Sequence, residues 1–294
     1  MFEEGQYFAP VTTGEDGSVE VELGQSHPGF ADPEYRDRRN MLAALAMEWK
    51  PGAPIPAAPY TDTEHEVWRR VSAELAVKHR EYAVREFLEG AEALALPTDR
   101  VPQLSEVSEA LESLTGYRYR PAAGLVPLRQ FYSVLDEDLF YATQYIRHHS
   151  VPFYTPEPDV IHEVIGHGNS LAAPRFAELY RLAGQAAKRV RSEEALEFVS
   201  RVFWFTLEFG VMREGDGLKA YGAGILSSYG EIEEFRGMTI RPLDLIEMGT
   251  IDYDITKYQD VLFEAESMDH LEDVVGQFWA ACDDDSIAAL LAEA

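Results

Sequence analysis

The 294-residue sequence predicts a mainly α, α+β fold with many helices and a few short strands. Apolar residues recur at helical spacing over most of the chain, and the β-prone runs are only four or five residues long. At least one helical stretch also opens on a recognisable N-cap. The first 25 residues, rich in Gly, Glu, Thr and Val, are expected to form an extended arm. Residues 51–59 hold four prolines and read as a pinned connector. In residues 63–89, Val67, Trp68, Val71 and Leu75 share one face with charges opposite, so a long amphipathic helix is expected. Further helices are expected at residues 104–114, 159–167, 174–190 and 192–209, the last capped by Ser192 with two glutamates in its first turn. Short strands fit residues 117–120 and 144–148. No internal repeat or low-complexity block interrupts the pattern, and residues 26–294 are expected to form a single domain.

Composition limits the partners. With 46% hydrophobic residues the chain can bury a sizeable core. Its 52 acids against 25 bases give a formal charge of −27, a surface that repels nucleic acid and anionic membranes, so neither is expected as a partner. The one cysteine, Cys282, excludes an internal disulfide and a thiolate metal cluster. Met1-Phe2-Glu3-Glu4 is not the start of a signal peptide, and no run of 18 apolar residues occurs, so a cytoplasmic location is expected.

The run from Pro156 to His167 carries the chemistry. His162 and His167 stand five residues apart, with Glu163 beside the first and Gly166 before the second. A zinc protease helix would set its histidines four apart. At roughly 100° per residue, positions five apart lie about 140° apart on an ideal helix, so both imidazoles meet one ion only if the turn is distorted or ends there. Gly166 permits that. Two histidines and one carboxylate with open positions suit non-haem ferrous iron and dioxygen chemistry. The best third ligand is Glu208, embedded in Arg201-Val-Phe-Trp-Phe-Thr-Leu-Glu208-Phe-Gly210, because a carboxylate in so apolar a run needs a cation. Read alone, that run also fits a core helix whose glutamate pairs with a lysine or arginine, or lies on a wet face.

Five ordered motifs make the chain resemble the pterin-dependent aromatic amino acid hydroxylases: Tyr145 to His149, Tyr154 to Asp159, His162 to His167, Trp204 to Gly210 and Lys219 to Glu231. Weaker matches extend the likeness over about residues 25–278. The resemblance implies that family's catalytic-domain fold, with Fe(II) at its centre held by His162, His167 and Glu208. It also implies a tetrahydropterin cofactor and small-molecule substrates, namely an aromatic amino acid, dioxygen and the pterin. By the same likeness, Arg147 clamps the substrate carboxylate, a task suited to a planar guanidinium. Thr155, Pro158, Gly224, Ser227 and Ser228 fall at other positions of the substrate end. A salt bridge from Arg147 to Asp159 is the alternative role, compatible with the first. Ser227 is also a candidate to hydrogen-bond a ligand histidine.

Trp204, four residues before Glu208, shares its helical face and is expected to line the ring pocket. On the pterin side the likeness implies Phe131, stacked on the cofactor, with Gly124, Val126 and Leu128 adjoining, and Glu163, pointing away from His162 toward pterin and water. Phe203 and Tyr141 stand where the family usually has tyrosine and histidine. Ile255 occupies a position that is acidic in tyrosine hydroxylases. With Trp204 it points to phenylalanine as substrate and tyrosine as product, with tryptophan, tyrosine or another ring carbon as alternatives. The resemblance leaves no room for the regulatory domain or C-terminal tetramerisation helix of animal relatives, so a monomer or dimer is expected. A metallohydrolase with Glu163 as base, and a non-catalytic amino acid binder, are the readings from other classes.

Overall fold

The structure is a computed structural model, describing residues 9–14, 16–215, 217–254 and 257–294. Helices account for most of the chain, and three small sheets lie among them. β1 (Val11–Thr13) and β2 (Val19–Val21) form an antiparallel hairpin, β3 (Arg118–Ala122) and β4 (Leu139–Thr143) a parallel pair. A four-stranded sheet runs in the order β6 (Gly217–Ala220), β5 (Val211–Glu214), β8 (Val261–Ala265), β7 (Thr239–Pro242).

The hairpin corrects the expected arm within its described residues. Val21 and Leu23 are buried with Ala43 of the Pro33–Glu48 helix, and Asn40 accepts a hydrogen bond from the Val21 amide at 2.8 Å. The 63–89 helix is also divided, into Asp62–Tyr82 and Arg85–Leu94. Its N-terminus is fixed by a capping box in which Thr61 and Glu64 satisfy each other's amides. It breaks because the Val84 amide donates to Ala220 of β6 at 3.0 Å, a bond to the sheet in place of a helical one. The Leu104–Leu114 helix lies where it is expected, and Pro174–Arg189 ends one residue early.

The second predicted strand is displaced. β4 pairs with β3 five residues upstream of residues 144–148, which instead run irregularly beneath the site. The main core fills the space between these elements with fully buried Trp68, Trp279, Phe176 and Tyr180, among others. Its helices converge on two short π-helical segments, His162–Gly168 and Trp204–Glu208, the second continuing the Glu193–Phe203 helix capped by Ser192.

Candidate active site

The π-helical turn resolves the five-residue histidine spacing. In a turn closed by i→i+5 bonds, positions five apart return to nearly the same face, so His162 and His167 come together without the helix ending. Their Nε2 atoms lie 3.0 Å apart. Gly166 has a different task from the one expected: a Cβ there would stand 2.8 Å from the carbonyl oxygen of Ala223, so its lack of a side chain lets the Ala223–Ser227 helix close onto the turn. Glu208, last residue of the other π-segment, places Oε1 2.9 Å from His167 Nε2 and Oε2 3.7 Å from His162 Nε2.

These separations fit a metal ion. Two bonds of about 2.0–2.1 Å meeting at a right angle put their donor atoms about 3 Å apart. Two imidazole nitrogens and a carboxylate on one side of an ion are the donor set of non-haem iron oxygenases. The other ring nitrogens are engaged as a metal would require. His162 Nδ1 lies 2.8 Å from Ser227 Oγ, whose own hydroxyl is directed to the Gly224 carbonyl, so Nδ1 carries the proton and Nε2 the free lone pair. His167 Nδ1 lies 2.7 Å from Tyr180 Oη.

Burial shapes the charges. Removal from water, reinforced by His167, depresses the His162 pKa to about 4, which keeps the ring neutral and able to ligate. For Glu208 the desolvation that would raise its pKa is outweighed by His167 and His162, so it is held below the usual range and remains a carboxylate. Glu163 is driven the other way by burial, well above the ordinary value, although Thr143 donates to Oε1 from its amide and hydroxyl at 3.4 and 3.3 Å. It does not point away as expected: in the widened turn its carboxylate lies within 4.8 Å of donor nitrogens of both histidines.

A cavity of about 450 Å³ opens beside these residues, large enough for an amino acid with a fused-ring cofactor. Arg147 lines it while held in a bidentate pair with Asp159, Nε to Oδ2 at 2.9 Å and Nη2 to Oδ1 at 2.8 Å. Asp159 is fully buried. The salt bridge and the position at the cavity wall thus coexist. Thr155, Pro158, Gly224, Ser227 and Ser228 line the same space, and Thr155 Oγ1 donates to the Glu157 carbonyl at 2.7 Å. Trp204 lines it too, stacked on Tyr253 with centroids 4.4 Å apart and donating Nε1 to Gln259 at 3.1 Å.

Gly124, Val126 and Phe131 reach the wall as expected, together with Tyr141, whose hydroxyl accepts from Gln130 Nε2 at 3.0 Å. Leu128 and Phe203 do not. Leu128 opens a five-residue helix and packs on the core, with Leu125 at the wall in its place. Phe203 is completely buried behind Phe131, in edge contact with Tyr132 and Tyr180. Ile255 lies outside the described residues. Sequence reading missed Tyr180, Thr143, Tyr253 and Glu231. Each looks like an ordinary core or surface residue until the fold brings it to the site. Only the polar hydroxyl of Tyr180 in an otherwise apolar helix face gave a signal.

The model of the family described as biopterin-dependent aromatic amino acid hydroxylase matches residues 15–285. A phenylalanine 3-hydroxylase of Streptomyces coeruleorubidus is 54% identical over 265 residues, covering 90% of this chain and 95% of that protein. The bovine phenylalanine-4-hydroxylase is 39% identical over 269 residues, and the match covers 90% of this chain but 59% of the longer mammalian protein. Among solved structures, phenylalanine hydroxylase of Chromobacterium violaceum, with bound iron(III) and 7,8-dihydrobiopterin, aligns with a TM-score of 0.75 at 30% identity, over 82% of this chain and 86% of that one.

Proposed function

Because the chain belongs to the biopterin-dependent aromatic amino acid hydroxylases, we propose that it hydroxylates the ring of free L-phenylalanine, and does so at position 3. Dependence on iron and a reduced pterin, and action on an aromatic amino acid, come with the family. Position 3 is favoured by the 54% identity, over nearly the whole length, to a protein named phenylalanine 3-hydroxylase, against 39% to the bovine 4-hydroxylase. This departs from the tyrosine product expected from Trp204 and Ile255.

The chain's own residues divide the work. His162, His167 and Glu208 would hold the ferrous ion, with Ser227 and Tyr180 fixing the imidazole orientations. Bound iron and pterin together supply the reductive activation of dioxygen, one atom of which enters the ring. Arg147, immobilised by Asp159, presents the rest of its guanidinium to the substrate carboxylate, while Thr155 and Ser228 offer hydroxyls at the same end. The Trp204–Tyr253 stack forms an apolar wall that leaves the substrate ring beside Glu208. Phe131 offers a ring face to the pterin. Glu163, its pKa raised by burial, lines the cavity at the pterin edge. A hydrolytic role for Glu163 is disfavoured by the family match, which spans residues 15–285.

The test is competition. Iron-loaded protein with tetrahydropterin and air is given equal phenylalanine, tyrosine and tryptophan, and each product is identified by mass spectrometry. Consumption of phenylalanine first supports the reading. Preferential loss of tyrosine or tryptophan refutes it.

A further inference from the structure

A free amino acid carries two charges, and Arg147 answers only one of them. Burying the α-ammonium group without a partner would cost more than the carboxylate contact returns. Four carboxylates line the cavity among the described residues: Glu157, Glu163, Glu208 and Glu231. Glu157 is spent on Arg39, at 2.5 Å, and on His27, at 3.3 Å. Glu208 faces the two imidazoles, and Glu163 lies against Thr143 and the same histidines. Asp159, behind the wall, is saturated by Arg147.

Glu231 is different. It is 5% exposed, and Oε1 accepts one bond, from the Gln259 amide at 3.0 Å. Among the described residues no cation pairs with it. Lys78 bonds the Tyr229 carbonyl and Glu233, and Lys257 pairs with Asp254. Its position suits the amino acid end, because Glu231 follows Ser227 and Ser228 across one tight turn and its amide donates to Ser228 Oγ at 3.3 Å. It is also joined to the ring wall, since Gln259 accepts from Trp204 Nε1 while donating its own amide to Glu231.

We propose that Glu231 is the counter-ion of the substrate's α-ammonium group, so that the zwitterion is held at its carboxylate by Arg147 and at its nitrogen by Glu231. This rests on the reading of the chain as an amino acid hydroxylase. Desolvation lifts the Glu231 pKa to about 7, opposed by the Gln259 amide. An arriving ammonium ion therefore expels a proton from those molecules in which the carboxyl is still protonated. The neighbouring charges that face it, the Lys78–Glu233 and Lys257–Asp254 pairs and the Tyr258 phenol, are already matched or neutral and do not substitute for the substrate.

Glu231→Gln keeps the shape and the acceptor for Gln259 but removes the charge. In the iron-loaded enzyme with tetrahydropterin, KM for phenylalanine should rise on the order of 10- to 100-fold. The inhibition constant of 3-phenylpropanoate, which has the ring and carboxylate but no ammonium group, should stay within about twofold. An unchanged KM, or an equal loss for both compounds, overturns the proposal. Should the variant not fold, the wild-type enzyme decides: calorimetry near pH 7 in buffers of different ionisation enthalpy should show proton release with phenylalanine and none with 3-phenylpropanoate. Equal proton release for the two overturns the proposal. A wild type that neither binds nor hydroxylates phenylalanine removes the functional reading itself, and this inference with it.

Discussion

At the metal end of the cavity, three donor side chains come from two π-turns, and each imidazole is steadied by one neutral hydroxyl, Ser227 or Tyr180. At the amino acid end, the side chains are steadied by full charges: Arg147 by Asp159, and Glu157 by Arg39, whose guanidinium also lies 3.4 Å from the Tyr145 ring centroid. The difference follows from what each end must bind. Metal ligands need neutral imidazoles, which a hydroxyl orients without protonating, whereas a guanidinium kept in a dry wall must have its charge matched before the substrate arrives. The metal end can therefore lose affinity without losing the fold. The amino acid end cannot.

The largest effect should come from Glu208→Ala. Loss of the carboxylate that pairs with both imidazoles should reduce hydroxylation by at least about 10³-fold and strip iron, measured by product formation and metal analysis, with little change in helical content. Turnover near wild type would remove Glu208 from the metal site. Arg147→Ala should break the other end differently. It leaves Asp159 buried and unpaired, so stability should fall by about 3–5 kcal/mol in chemical unfolding, in addition to a raised KM for phenylalanine. A variant with weaker substrate binding and unchanged stability would mean that the pair does not hold the wall.

Tyr180→Phe sharpens the contrast from the metal side. Only one hydroxyl contact to His167 is lost, so iron affinity should weaken about 10- to 100-fold while thermal stability moves little. A large drop in stability with unchanged iron binding would reverse the comparison. The smallest effect concerns His79, whose Nε2 meets the Leu226 carbonyl at 2.7 Å, next to Ser227. Burial depresses its pKa to about 4. The unfolded chain takes up that proton first, so stability is lost as pH falls from about 6.5 toward 4 and is fully present above that window. About 1–2 kcal/mol should disappear between pH 7 and pH 5, and His79→Gln should flatten that part of the profile. A slope that persists in the variant would assign the titration elsewhere.

Particular residues show how far the sequence could be read. His162, His167 and Glu208 were legible because a metal site selects few residue types and the five-residue spacing already signalled an abnormal turn. That the abnormality is a π-turn with Gly166 packed on Ala223 was not, because it depends on a helix that begins 57 residues later in the chain. The break at Ala83 and Val84 was hidden for the same reason, since the helical pattern continues while β6 captures the amide. Periodicity found residues 104–114 as a helix but shifted the second strand from Leu139–Thr143 to residues 144–148, which pair with no strand among the described residues. Likeness alone carried Leu128 and Phe203 to the pterin wall, whereas packing turns both toward the core. The Arg39–Glu157 pair joins residues 118 apart, and nothing local marks either as the other's partner.

The most direct single measurement is the position of the new hydroxyl group. Iron-loaded protein, tetrahydropterin and air are supplied with L-phenylalanine, and the product is resolved chromatographically against authentic meta-tyrosine and tyrosine. The account predicts meta-tyrosine as the dominant product. Tyrosine in its place would contradict the assignment of ring position, and oxidation of the pterin with no hydroxylated amino acid would contradict phenylalanine as the substrate.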